Sequence, residues 1–345
     1  MIPSSGKDRK EGKDIVITGL GLVLPCGDGL EAARQSWISG EPCFAELPPN
    51  LGIGRGAFCG AFNPAGIIPP MQLRRLDRPS RFAWSAVHQA LVDGRMDWKA
   101  GDAGDRMAMT VGTVTGGSEA GEVFMRPYFE RGPEGASPMV FPNCVANAAS
   151  GHVALAFGIK GPSITQVARE NAAFTALDQA MRWLRRNVVD TVLVIGTDGI
   201  FPLQMELLRR TGRLAVRGNP IANAATGYLP GEGAQAFLLE TRSHAESRGA
   251  HIRGEVLSAV CASPTRKPPR PAQIRWPWLF RRPWAPRCRP SGRPPGSEAV
   301  MAPNGWTNWN WASRSFIQTG RSPGFQNSSG ANSVARGASS WRLPY

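Results

Sequence analysis

Histidine is scarce in this chain: there are four in 345 residues, and none follows His251. Acidic residues nearly vanish from one end, where residues 262–345 hold 13 Lys and Arg against a single carboxylate, Glu298. No apolar run approaches the ~20 residues that cross a bilayer. The polar stretch from Ser4 to Asp14 also lacks the apolar core of a secretory leader, so a cytoplasmic protein is expected. The six cysteines (Cys26, Cys43, Cys59, Cys144, Cys261, Cys288) show no Cys-x-x-Cys pair and no regular spacing. A chain of this length needs no staples, which predicts buried free thiols in a reducing compartment, with no metal and no cofactor.

The net charge of +14 invites a nucleic-acid reading, but its distribution opposes one. The first 261 residues carry 27 basic and 25 acidic side chains, close to neutral, so the excess belongs to the last 84. Neither nucleic acid nor membrane is therefore expected as a partner of the globular part.

Along the chain, Asp14 to Gly19 reads as a short apolar strand that ends at glycine. Gly19 and Gly21 begin a dinucleotide-binding fingerprint, but Leu24 replaces its third glycine and Pro25 interrupts it. Helical spacing of Phe82, Ala86, Ala90 and Leu91 predicts a helix over 81–93. Met107 to Thr115 reads as a strand ending at Gly116-Gly117, and Phe141-Pro142-Asn143 as the entry to a small-residue helix that carries His152. Val188 to Asp198 is continuously apolar, as a strand covered on both faces would be. Alternating strands and helices of this kind argue for a layered α/β fold with a parallel or mixed sheet.

The most informative stretch is Gly161 to Ala173. A β-prone segment (Ser163, Ile164, Thr165, Gln166, Val167) runs into a small-residue turn. An amphipathic pattern then follows through Phe174, Leu177, Ala180, Met181 and Leu184. A strand, tight turn and helix present a side chain over helix N–H groups that stabilise an anion, which is how several enzyme folds hold a nucleophile.

This stretch resembles the nucleophile region of the β-ketoacyl synthases, the condensing enzymes of fatty-acid and polyketide assembly. Further matches run in order along the chain: Val16-Ile17-Thr18-Gly19-Leu20-Gly21, the Pro142-Asn143 helix entry, the 188–198 strand, and Leu229 to Glu240 with its Gly231-Glu232-Gly233-Ala234. The resemblance implies a thiolase-like, layered αβαβα fold, of which residues 14–260 hold the first of two halves. Its nucleophile position falls on Glu170, where the family has the acyl-accepting Cys. A carboxylate forms no thioester, and all four histidines lie upstream of the places where the family keeps its catalytic pair. Chain-length factors and decarboxylating relatives carry Gln there, so a polar substitute has precedent, although Glu departs from that pattern.

The resemblance therefore implies a non-catalytic, chain-length-factor-type subunit with an acyl carrier protein and an active ketosynthase as partners. The alternatives are an active synthase or malonyl decarboxylase using Glu170. Asn143, Gly112, Thr113, Gly116 and Gly117 match family positions and are the substrate-pocket candidates, although turn residues supplying special dihedrals are the plainer reading of all five. In the family, the segment equivalent to Ser163–Val167 pairs with its counterpart in a second subunit, which makes it the expected dimer interface. His152 is expected to be packed in the core, and His244 and His251 to be solvated.

From residue 262 the composition changes. Seven of eleven tryptophans and thirteen prolines lie there without sustained periodicity. Natural disordered tails are poor in Trp, so an out-of-frame translation fits better. Shifting the frame turns Trp306 to Ala312 into Asp-x-Leu-Glu-Leu-Gly, with almost no codon freedom. The expectation is an unstructured, aberrant tail over 262–345. A tail that engages nucleic acid or membrane is the reading from another class.

Overall fold

The computed structural model describes residues 14–259 apart from 41, 42, 53, 102 and 216–226. The aberrant-tail expectation for 262–345 lies outside the described residues. The first apolar run does not stop at Gly19: it continues through both glycines as one long strand, β1 (Ile15–Leu24). Chain order then gives β2 (Gly27–Asp28), α1 (Gly29–Ser39), β3 (Ala45–Glu46), β4 (Arg55–Gly56), α2 (Pro70–Leu73), α3 (Arg78–Asp93), β5 (Met107–Thr113) and α4 (Ser118–Arg131). After these come α5 (Ala148–Phe157), β6 (Ser163–Val167), α6 (Ala172–Arg185), β7 (Thr191–Asp198), α7 (Pro202–Arg210), β8 (Gly233–Thr241), α8 (Arg242–Ser247) and β9 (Gly254–Val256).

The main sheet runs β2-β1-β8-β7-β5-β6, with β9 also paired to β1. It is mixed: β5 lies parallel to both β6 and β7, whereas β8 is antiparallel to β7 and β1. Strand side chains alternate between two helical layers. Met107, Met109, Val111, Leu193 and Ile195 join the core built with α3 and α5. Ala108, Val192, Val194 and Leu239 join the core built with α6 through Ala176, Ala180, Met181 and Leu184. Both faces are thus covered, which is why the 188–198 stretch reads as a continuous apolar run. Each large apolar side chain sealed this way contributes about 1.5–3 kcal/mol.

Gly19 and Gly21 are there for α3, not for a phosphate. A Cβ on Gly19 would sit 2.1 Å from the Ala90 carbonyl oxygen, and one on Gly21 would sit 1.9 Å from that of Ala86. The helix therefore lies directly on the strand backbone. Between the β9 and β2 pairings, the Leu20 and Leu22 N–H groups donate to the α3 side chains of Asp93 at 2.8 Å and Gln89 at 2.9 Å. Helix α3 also begins earlier than its apolar spacing indicates, because Asp77 caps it by accepting from the Ser80 N–H at 3.1 Å.

The thiol expectation needs correction. All four described cysteines are free, but only Cys59 is buried; Cys26, Cys43 and Cys144 are half-buried. Cys261 and Cys288 lie outside the described residues.

Gly21→Ala should lower stability by about 2–3 kcal/mol, because the added methyl meets backbone that cannot yield. Gly40→Ala, at a left-handed helix cap (φ 67°) with open space around it, should cost only about 1 kcal/mol. Urea or thermal unfolding of the two variants measures the contrast, and equal losses would refute the close-approach reading.

Candidate active site

Strand β6 ends at Val167, and the chain reverses through a single tight turn before α6 starts at Ala172. The turn depends on Arg169, whose φ of +52° is a conformation that a long side chain rarely adopts. Glu170 follows, exposed on the crest. No side chain caps α6, so its first-turn N–H groups lie next to the crest, where the helix dipole favours a negative group such as Glu170. The seat of the helix is Gly112 in β5: a Cβ there would fall 2.4 Å from the Ala172 carbonyl carbon. Gly112 is therefore a strand residue over which α6 rides, and not a turn residue.

The loop after β5 is pinned by one carboxylate. Asp198, at the end of β7 and buried, accepts from the Thr113 hydroxyl, the Val114 and Thr115 N–H groups and the Thr115 hydroxyl, with each contact near 2.9–3.0 Å. Burial still pushes its carboxyl above the ordinary range, against the pull of those bonds. The loop then turns at Gly116, whose φ of +53° does require glycine. It runs past Gly117, where a Cβ would meet the Asn143 carbonyl oxygen at 2.5 Å. Asn143 is buried. Its amide donates to the Arg75 carbonyl at 2.7 Å, and its side-chain oxygen lies 2.7 Å from His152 Nε2. The pocket candidates thus form one scaffold on the β5 side of the turn, and each has an architectural task.

His152 is half-buried, not sealed in the core. Desolvation holds its ring below the usual histidine range, although nearby Asp77 opposes this. His244 is not simply solvated either: its Nδ1 lies 2.7 Å from buried Glu240, whereas His251 is exposed. Burial alone would raise the Glu240 carboxyl, but Arg248, Thr18 and His244 outweigh it and hold it low.

Sequence reading missed a second charged cluster. Glu232 is buried and accepts from Arg78 and from the Cys59 N–H at 2.9 Å. The Arg78 guanidinium also stacks on Phe58 and Phe82. Glu119, in the first turn of α4, has an oxygen sealed from solvent without a hydrogen-bond partner. Burial first, then repulsion from Asp77, pushes its carboxyl up to about 7, with Arg78 pulling the other way. Only Glu232 had a sequence signal, the Gly-Glu-Gly triplet; the partners of the others are set by the fold.

Glu119 makes a pH dependence testable. Its folded carboxyl titrates above its unfolded value, so the protonated form is favoured by folding. Its contribution is full below about 4.5 and is lost as pH rises through about 7. Glu119→Gln, which stays neutral, should gain roughly 2–3 kcal/mol on wild type between pH 5 and pH 8 in urea unfolding. A pH-independent difference would refute this placement.

Three comparisons bear on this geometry. The sequence profile of the β-ketoacyl synthase N-terminal domain matches residues 12–245. The 3-oxoacyl-[acyl-carrier-protein] synthase 2 of Staphylococcus aureus (strain COL) is 25% identical over 267 residues, covering 72% of this chain and 62% of the relative. That of Synechocystis is 27% identical over 259 residues, with the same two coverages. The chain therefore spans about 62% of the length of the curated relatives it matches. Among solved structures, a type II polyketide acyl-carrier protein in complex with its ketosynthase bound to the hexaketide gives 26% identity and a TM-score of 0.61. It covers 72% of this chain and 68% of that one. The ishigamide ketosynthase/chain length factor (24% identity, TM-score 0.65, coverages 72% and 63%) and a Burkholderia phymatum β-ketoacyl synthase (21%, 0.66, 73% and 64%) share the fold, which is thiolase-like. With its β6 turn, its seat at Gly112 and a profile match over more than half its length, the chain belongs to the β-ketoacyl synthase family through that family's N-terminal domain.

Proposed function

We propose that this chain is a non-condensing, chain-length-factor-type subunit of a ketosynthase system in fatty-acid or polyketide assembly. The observation that carries the reading is Glu170 on the crest of the β6–α6 turn, with no cysteine anywhere between Cys144 and Cys261. Condensation needs a thiolate to take the acyl group and imidazoles to act on the malonyl carboxylate. The crest offers only a carboxylate, which forms no thioester. A fold neighbour that is itself a ketosynthase/chain length factor pair is consistent with the role. An acyl carrier protein and an active ketosynthase are the partners this role requires.

The β6 strand is the proposed dimer surface. Among the described residues it is the outermost strand of the sheet, and Ile164 and Val167 are 39% and 58% exposed on it. An uncharged, β-branched edge of this kind invites pairing with another strand. The residues from 262 onward are proposed to derive from a displaced reading frame, and resequencing the gene around the codons for 255–265 tests this directly.

Incubation with acyl and malonyl carriers should give no condensation product, no decarboxylation and no acyl adduct on Glu170 or any cysteine by intact-mass spectrometry. Glu170→Cys should acquire one acyl group from an acyl thioester, because the turn already presents that side chain over α6. A stoichiometric adduct on the unmodified chain would overturn the reading.

Ile164→Lys with Val167→Lys should abolish co-purification with a ketosynthase partner while leaving the far-UV circular dichroism unchanged. Retained pairing would place the interface elsewhere.

A further inference from the structure

Three Asp-Gly pairs occur in the chain: Asp28-Gly29, Asp93-Gly94 and Asp198-Gly199. A glycine after aspartate leaves its main-chain nitrogen unshielded beside the carboxyl, so the fold decides which pair can react. Two of the three are held. Asp93 accepts from the Leu20 N–H at 2.8 Å and from Arg253, and the Gly94 N–H donates to the Ala90 carbonyl at 3.0 Å. Asp198 is buried beneath its four donors from the residues that leave β5. Asp28 differs. It is exposed at the cap position of α1, and its carboxylate makes no capping bond there. The Gly29 N–H opens the helix, one of the four that an α-helix leaves without an intrahelical acceptor. The joint also turns easily. Gly27 and Gly29 flank Asp28 at φ values of 128° and 86°, which glycine adopts without strain. Helix α1 buries none of its side chains completely, so packing restrains this joint less than it restrains α3 or α6.

We propose that Asp28-Gly29 is a site of spontaneous succinimide formation, by which the β2–α1 joint converts to isoaspartate and becomes a substrate for an isoaspartyl methyltransferase. The Gly29 amide nitrogen attacks Cγ of the protonated Asp28 carboxyl. A C–N bond forms, the Cγ–O bond breaks, and that oxygen leaves as water with the carboxyl proton and the amide proton. Water then opens the imide ring. Addition at Cγ restores aspartate. Addition at the main-chain carbonyl carbon routes the backbone through the side chain and leaves a free α-carboxylate. No electron is transferred, and the isomer has the mass of the starting chain. Partial burial holds the Asp28 carboxyl above its ordinary range, which enlarges the protonated fraction that loses water. The isomer adds a backbone atom where β2 passes into α1, so the helix loses its fixed entry from the sheet.

The test is to incubate the full chain for weeks in oxygen-18 water, well below its unfolding temperature, then to digest it with trypsin in ordinary water. Each ring opening brings in one solvent oxygen, and the three pairs fall in separate peptides, 14–34, 82–95 and 187–209. Peptide 14–34 should carry several-fold more label than the other two, with fragment ions placing it at Asp28. Purified isoaspartyl methyltransferase should transfer a labelled methyl group to the same peptide. In urea the three pairs should label at comparable rates, because the fold and not the dipeptide makes the choice. Asp28→Glu should lose both signals, since its larger ring closes poorly. Labelling of Asp93 or Asp198 in the folded chain as fast as Asp28 would overturn the proposal. So would an Asp28 that stays unlabelled in the folded chain, or a label at Asp28 without any methyl-accepting product.

Discussion

A single buried carboxylate holds the working end of the sheet in register. Asp198 closes β7 and takes every contact it can from the residues that leave β5: two hydroxyls and two backbone N–H groups. A charge removed from water is tolerated only when such donors surround it, and losing one leaves the others stranded. The two parallel strands are therefore locked at their carboxyl ends. Open α/β sheets keep their sites at those ends, and β6 delivers its turn beside this lock.

The same logic governs the opposite flank. Arg78 meets Glu232 across a wide gap in sequence, and the Glu232 carboxylate also accepts from Cys59 and Ile200 N–H groups. Desolvation would weaken the guanidinium's charge, but its pairing with Glu232 outweighs that and holds the arginine charged. At the β1–β8 crossing, Glu240 is fully buried yet bonded by Thr18, His244 and Arg248. Buried ion pairs add little net stability when intact, but removal of one partner costs about 3–5 kcal/mol. They act here chiefly as registry devices between elements distant in sequence.

How much of this was legible beforehand follows from the range of each interaction. The strand at 191–198 showed in the sequence because both its faces are covered, and a two-sided core writes an uninterrupted apolar run. The β6 strand and its turn showed through the spacing from Gly161 to Glu170. The end of β1 was misread because glycine marks a turn in one context and a close helix approach in another; only Ala86 and Ala90 of α3 distinguish the two. Asp198 and Glu119 had no local signal. The groups that act on them lie in other elements.

The positive φ at Arg169 bears on what the turn is for. Strained backbone at a catalytic elbow is usually read as part of the chemistry, but this crest carries a carboxylate and the strain persists. The geometry around it supplies a reason. Strand β6 runs parallel to β5, and α6 must return over Gly112 to cover Ala108, Val192 and Val194. The reversal from Val167 to Ala172 is made with Arg169 in the left-handed region. The burial of α6, which seals Ala176, Ala180, Met181 and Leu184, amply offsets a local cost of about 1–3 kcal/mol. The turn is thus tied to packing first. The side chain on the crest, here the exposed Glu170, takes no part in that packing.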